Sequence, residues 1–273
     1  MKPLLHPSSI FILLLISINI PSCLSEDDWQ YTNCNSPFRC GNISDLKYPF
    51  WGENREPFCG VPELELKCEG NVPKITVNSI KYSILDWDNT TEKLTLARDD
   101  YLGSVCGGGY KNSTFDNIPF QYDDSLLQNV TLYYLCPSSA FPPGNTPFSF
   151  DCGGSDRVYY TLGNPIAGSP CQIVVIPFFK SNASLVSSNS LNTLSEALNN
   201  GFALEWRENS EECKTCIDSG GECGVDREFR CFCKDRSHTT SCSAGMLASS
   251  SLTLPPNTLA LPRRWGQQLV ACK

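Results

Sequence analysis

Histidine is nearly absent from the 273-residue chain, which holds only His6 and His238. That excludes an HExxH zinc site and any two-histidine metal ligation. No GxSxG elbow, P-loop, glycine-rich kinase loop, HRD or DFG occurs either, so no catalytic residue is assigned. Charge is sparse at 18%, and the acids outnumber Lys plus Arg by 29 to 21, for a formal net charge of -8. An acidic chain lacks the clustered cations that phosphate contacts need, so nucleic acid is excluded as a partner. Long apolar runs are also missing. The longest, Ile10–Ile20, spans 11 residues and is interrupted by Ser17 and Asn19, well short of the roughly 20 of a spanning helix. Lys2 before it, Pro21 after it and the small residues Cys23 and Ser25 give the pattern of a secretory signal peptide over residues 1–25, cut before Glu26. The run is too short for a signal anchor.

Cysteine, by contrast, is abundant at 16, with 19 Gly and 19 Pro. A hydrophobic content of 41% suffices for a core, and the length suits one large or two small domains. Secretion places the thiols in an oxidising route, where bridges offset thin cores. Cys23 leaves with the signal. Cys272 lies in a stretch unlike the rest: no Asp or Glu follows Asp235, and residues 243–273 are rich in Ser, Leu, Pro and Thr, which reads as a disordered tail. The remaining 14 are Cys34, Cys40, Cys59, Cys68, Cys106, Cys136, Cys152, Cys171, Cys213, Cys216, Cys223, Cys231, Cys233 and Cys242, enough for seven bridges. No metal or cofactor is expected, because secretion would oxidise a zinc-ribbon pair such as Cys213-x2-Cys216. The lead-in Asn209-Ser-Glu-Glu also lacks the acidic-x-acidic pattern of a calcium site. Five sequons, at Asn42, Asn89, Asn112, Asn129 and Asn182, predict N-glycans on exposed surface.

Period-2 alternation dominates the chain. Leu64, Leu66 and Cys68 alternate, then Ile75 and Val77, then Ile80, Tyr82 and Ile84 in the opposite phase, which requires a turn or bulge near Asn78–Ser79. Leu94 and Leu96, Leu132 to Cys136, Val158 to Leu162 and Phe202 to Trp206 continue the pattern. Residues 172–179 form a short continuous apolar run, expected as a buried strand. One helix is predicted, from Leu191, Leu194 and Leu198, with Thr193 and Glu196 as a capping box and Gly201 as the stop.

The first cysteines frame Cys34-x5-Cys40-Gly41, then Tyr48-Pro49-Phe50-Trp51-Gly52, then Cys59-Gly60-Val61-Pro62 and Leu66-Lys67-Cys68. The last cluster runs Cys213-x2-Cys216-x6-Cys223-x7-Cys231-x-Cys233-x8-Cys242, preceded by GFALEW at 201–206. Together these resemble the extracellular region of plant wall-associated receptor kinases and of the leaf-rust-type receptor-like kinases. The resemblance covers about residues 34–242. It implies a mostly β, disulfide-rich fold of two small β modules with one short helix and an EGF-like C-terminal cysteine cluster. The modules are a galacturonan-binding one over 34–102 and a C-terminal one over 132–242, joined by a linker region over 103–131. Within the last cluster, Cys231 and Cys233 alternate along a strand and point to opposite faces, so they do not pair with each other. An EGF-like order is expected: Cys213–Cys223, Cys216–Cys231 and Cys233–Cys242.

Galacturonan is a polyanion, and binding it calls for Arg or Lys opposite carboxylates and aromatic faces against sugar rings. Arg39, Lys47, Arg55 and Lys67 beside Tyr48, Phe50 and Trp51 form the one stretch with this mixture. Arg39, Lys47, Tyr48, Trp51, Arg55 and Lys67 are therefore the candidate polysaccharide contacts. The same residues also read as the packing centre of a small module with a solvated basic face. The family joins such an ectodomain to a membrane helix and a kinase, both missing from this sequence, so it reads as a truncated or spliced receptor form or an incomplete gene model and not as an enzyme. Pectin or oligogalacturonide binding in wall sensing or defence is the leading expectation. A secreted peptide or a co-receptor is the alternative partner, and the location is apoplast or cell wall, or the plasma membrane for a full-length receptor.

Overall fold

The computed structural model describes residues 27–115, 119–141, 147–154, 156–207 and 210–242. The signal-peptide and tail readings, with Cys23 and Cys272, lie outside these residues, as does Asn209. The described fold is mostly β. Strands β1 (Phe38–Cys40) and β2 (Ile43–Leu46) form a small hairpin. They are followed by β3 (Leu66–Glu69), β4 (Val72–Val77), β5 (Ile80–Asp88) and β6 (Lys93–Arg98), an antiparallel meander. The phase slip read at Asn78–Ser79 is a two-residue hairpin turn. Both residues take positive φ (49° and 63°), and Val77 pairs with Ile80, as such tight turns require.

Two later strands complete this sheet. Strands β7 (Phe120–Tyr122) and β12 (Phe202–Trp206) add to β6 in the order β3-β4-β5-β6-β12-β7. GFALEW thus returns about 100 residues later to pair Phe202 with Leu96 and Leu204 with Leu94. A second antiparallel sheet holds β8 (Leu127–Tyr134), β9 (Phe148–Asp151), β10 (Arg157–Leu162) and β11 (Gln172–Phe179) in the order β11-β8-β10-β9. Residues 103–131 therefore contribute β7 and part of β8. The apolar run 172–179 lies at a sheet edge, with Val174, Ile176 and Phe178 turned into the core.

Each sheet has its own core. Phe50, Tyr82, Phe115, Phe120, Phe202 and Trp206 pack as an aromatic cluster under the first. Val130, Leu132, Tyr160, Val174 and Phe178 pack under the second. The predicted helix is present at Leu191–Asn199 and drives Leu194, Ala197 and Leu198 into that second core. Its cap differs from the reading: Ser190 is the N-cap, and Thr193 sits within the first turn, its hydroxyl donating to the Ser190 carbonyl at 3.1 Å. Gly201 ends the segment at φ +70°, where a Cβ would lie 2.3 Å from the Leu96 carbonyl oxygen.

Three further helices escaped the sequence reading. Helix α1 (Trp29–Asn35) is capped by Asp28, whose carboxylate accepts from the Gln30 and Tyr31 amides at 2.9 and 3.3 Å. Helix α2 (Ala183–Val186) precedes the predicted one, α3, and α4 (Ser210–Asp218) carries Cys213 and Cys216. All 14 expected cysteines pair: 34–59, 40–68, 106–152, 136–171, 213–223, 216–231 and 233–242. The last three follow the EGF-like order. No helix among the described residues is long and apolar enough to cross a membrane.

Candidate ligand site

The last cysteine cluster packs against the first one. Strands β13 (Glu222–Asp226), β14 (Glu228–Phe232) and β15 (Ser237–His238) form its sheet. Phe232 meets Phe58 edge-on at 5.5 Å, Phe229 meets Tyr48 at 6.1 Å, and the Asp28 amide donates to the Lys234 carbonyl at 2.8 Å. Gly224 permits this approach, since a Cβ there would fall 2.2 Å from the Phe58 carbonyl oxygen. The two ends of the described chain are thereby brought side by side.

Arg55 occupies the centre of this arrangement, and the reading of it as a sugar contact is corrected here. It is only 2% exposed. Its Nε donates to the Phe50 carbonyl at 3.2 Å, Nη2 to that of Cys59 at 3.2 Å, and Nη1 to those of Cys34 and of Ser36, the latter at 2.7 Å. Burial pushes the guanidinium down to about 10, partly countered by Glu222, so it is charged at neutral pH. Four of its five N–H donors are taken by carbonyls, and burial keeps the fifth from a ligand carboxylate. Here the packing-centre reading wins: Phe50 is fully buried as well.

The other candidates separate. Trp51 is half-buried, and its indole N–H donates to the Val61 carbonyl at 2.8 Å. Arg39 is exposed at the middle of β1. Lys67 stands 3.7 Å from Glu65, on a cleft of about 350 Å³ that also holds Glu63, Glu69 and Lys74. Three acids against two cations make that cleft a poor host for a polyanion. Only Lys47 and Tyr48 come together, on a cavity of about 440 Å³ with Asn89, Glu92, Trp206, Glu211, Cys213, Lys214 and Ile217. That volume falls in the usual range of small-ligand sites. The Lys47 ammonium donates to Glu222 at 2.8 Å and Asn35 at 3.2 Å, leaving one of its three N–H donors for a ligand. Lys214 is exposed and has no ion pair among the described residues.

Lys214 and Trp206 escaped the sequence reading because they lie about 160 residues from Lys47. Only the partnering of GFALEW and of the last cysteines with the first module would have pointed to them. The outer strands β3, β11 and β9 are engaged along their edges as well. The amides of Leu66 and Cys68 on β3 donate to the Trp51 carbonyl and to Glu53, at 2.7 and 2.8 Å. Val175 on β11 and Ser149 on β9 donate to the side chains of Asn112 and Asn189, at 2.9 and 3.2 Å.

Comparison with known proteins agrees with this architecture. A family model described as "Wall-associated receptor kinase galacturonan-binding" matches residues 34–98, and one described as "Wall-associated receptor kinase C-terminal" matches residues 159–236. The chain belongs to the wall-associated-kinase type of receptor ectodomain. Among relatives of this ectodomain in Arabidopsis thaliana is the leaf rust 10 disease-resistance locus receptor-like protein kinase-like 2.1, 28% identical over 82% of this chain and 37% of its own length. The 2.5 form is 32% identical over 81% and 36%, and the 1.4 form 30% identical over 90% and 36%. The chain thus spans about a third of the length of the curated relatives it matches. No solved structure matches the ectodomain. The matched modules are extracellular ones, and neither is a kinase domain. The cavity lies where they meet: Lys47 and Tyr48 belong to the first, Trp206, Cys213, Lys214 and Ile217 to the second.

Proposed function

We propose that this ectodomain binds de-esterified galacturonan, as pectin fragments in the cell wall, and serves wall sensing or defence. The match of residues 34–98 to the galacturonan-binding module carries the reading. The cavity supports it with two ammonium groups, Lys47 and Lys214, beside the aromatic rings of Tyr48 and Trp206. A uronic-acid unit presents a carboxylate to the two ammonium groups and a ring face to Tyr48, while Trp206, 5% exposed and packed on Phe50, backs the cavity. Glu92 and Glu211 balance the two cations formally within the lining, and Glu222 behind it pairs with Lys47; sugar hydroxyls are natural donors to the lining carboxylates. The chain is proposed to be secreted after cleavage before Glu26 and N-glycosylated at most of its sequons. It would work in the apoplast, or at the plasma membrane as part of a full-length receptor.

Calorimetric titration with de-esterified and methyl-esterified oligogalacturonides tests the ligand. Esterification removes the carboxylate charge, and 1 M salt shortens the Debye length to about 3 Å. Both should weaken binding. Affinity indifferent to both would refute carboxylate recognition.

A further inference from the structure

The sequon Asn89-Thr90-Thr91 forms part of the cavity wall. Asn89 follows β5 in the turn to β6 and lines the cavity facing Lys214 and Ile217 of α4. The turn is well fixed: the Asp88 carboxylate accepts from the Thr90 amide at 2.7 Å and the Thr91 hydroxyl at 2.8 Å. The Asn89 amide nitrogen donates to the Asp45 carbonyl at 3.3 Å. One amide hydrogen satisfies that contact, so the other is replaceable by a sugar without breaking it. The remaining sequons are placed elsewhere. Asn42 is in the β1–β2 turn, Asn112 holds the edge of β11, Asn129 lies on interior strand β8 and Asn182 precedes α2. None of the four lines this cavity. Ile217, 57% exposed, stands in the same wall beside Tyr48.

We propose that an N-glycan on Asn89 stands at the mouth of the Lys47–Lys214 cavity and restricts entry to it, so that occupancy of this one sequon sets the ligand affinity of the ectodomain. A glycan is bulky and hydrated, and Asn89, which would carry it, is an exposed residue of the cavity lining. Ile217 and Lys214 line the same cavity and so lie within the glycan's reach. The effect on affinity rests on the galacturonan reading; the shielding itself does not. If the glycan covers the mouth about nine-tenths of the time, apparent affinity falls about tenfold, because only the uncovered fraction binds.

The test uses the full chain secreted from a glycosylating host, in four forms: unaltered, Asn89→Gln, Thr91→Ala and Asn42→Gln. Glycopeptide mass spectrometry reads occupancy at Asn89, acylation rate reads access to Lys214, and titration with tetragalacturonate reads affinity. Asn89→Gln and Thr91→Ala should both speed Lys214 acylation severalfold and raise affinity about tenfold, while Asn42→Gln changes neither. Faster acylation with no tetragalacturonate binding in any form would uphold the shield and overturn the galacturonan reading instead. An unglycosylated Asn89 in the unaltered protein, or equal acylation in all four forms, would overturn the proposal.

Discussion

Replacing Arg55 with Met keeps most of the side-chain volume and removes every donor. Three of the four carbonyls it serves, those of Phe50, Cys34 and Cys59, are reached through buried bonds, and Ser36 is only partly buried. Each buried acceptor left without a donor costs about 1–3 kcal/mol. Relief from burying a guanidinium offsets part of that sum, as it does for other buried charges. A net loss of about 3–5 kcal/mol remains, a large share of the roughly 5–15 kcal/mol that holds a domain folded. Arg55→Lys should be nearly as harmful, because one compact ammonium cannot span carbonyls from Cys34 to Cys59. Urea unfolding with the bridges intact, followed by tryptophan fluorescence, measures the change. A midpoint shift worth less than about 1 kcal/mol would refute the packing role. So would an Arg55→Met protein that keeps its stability and loses galacturonide binding, since that would return Arg55 to the ligand.

Gly224→Ala should destabilise the chain and loosen the cysteine cluster from the first module, because the new methyl meets the Phe58 carbonyl and the Phe232 ring within 2.3 Å; hydrogen exchange at β13 and β14 should rise, and unchanged protection would contradict that packing. Removing the Cys106–Cys152 bridge, which closes a separation of 46 residues, should cost about 4 kcal/mol against about 2.7 for Cys233–Cys242 with its separation of 9; paired Cys→Ala variants compared by urea unfolding check the order. Burial pushes the Tyr101 phenol up to about 12. Its folded pKa is above the unfolded value of about 10, so its contribution is intact below pH 10 and lost as pH rises toward 12. Tyr101→Phe should flatten the alkaline decline in stability, and an unaltered slope would count against burial as the cause.

Most of the longer strands were legible because alternation reports a buried face directly, whereas β1, β2, β7, β9, β13, β14 and β15, of two to five residues each, were not read. The Asn78–Ser79 slip was legible because two consecutive positive-φ residues reverse the phase. Helix α1 was not, since its seven residues carry little apolar periodicity and bury Cys34 alone. The last three bridges followed from a one-residue gap and the EGF-like order, whereas the partners of Cys106, Cys136, Cys152 and Cys171 depend on how the second sheet folds. The site was only half visible. Lys47 and Tyr48 sit in a recognisable motif, but charge and aromaticity along the chain did not distinguish a buried Arg55 from an exposed Arg39. Lys214 and Trp206 reach the cavity through long-range docking, which no local pattern encodes.

Binding of a de-esterified oligogalacturonide to Lys47→Gln/Lys214→Gln, set beside Arg39→Gln/Lys67→Gln, tests the cavity most directly. Each pair removes two positive charges, so a general charge effect is equal in both. Fold is checked by circular dichroism, since Lys47 also pairs with Glu222. At roughly 0.5–1.5 kcal/mol per contact, the cavity pair should lose about 5- to 150-fold in affinity while the outlying pair stays near the unaltered protein. Equal losses in the two variants, or a loss confined to Arg39→Gln/Lys67→Gln, would contradict the cavity as the galacturonan site.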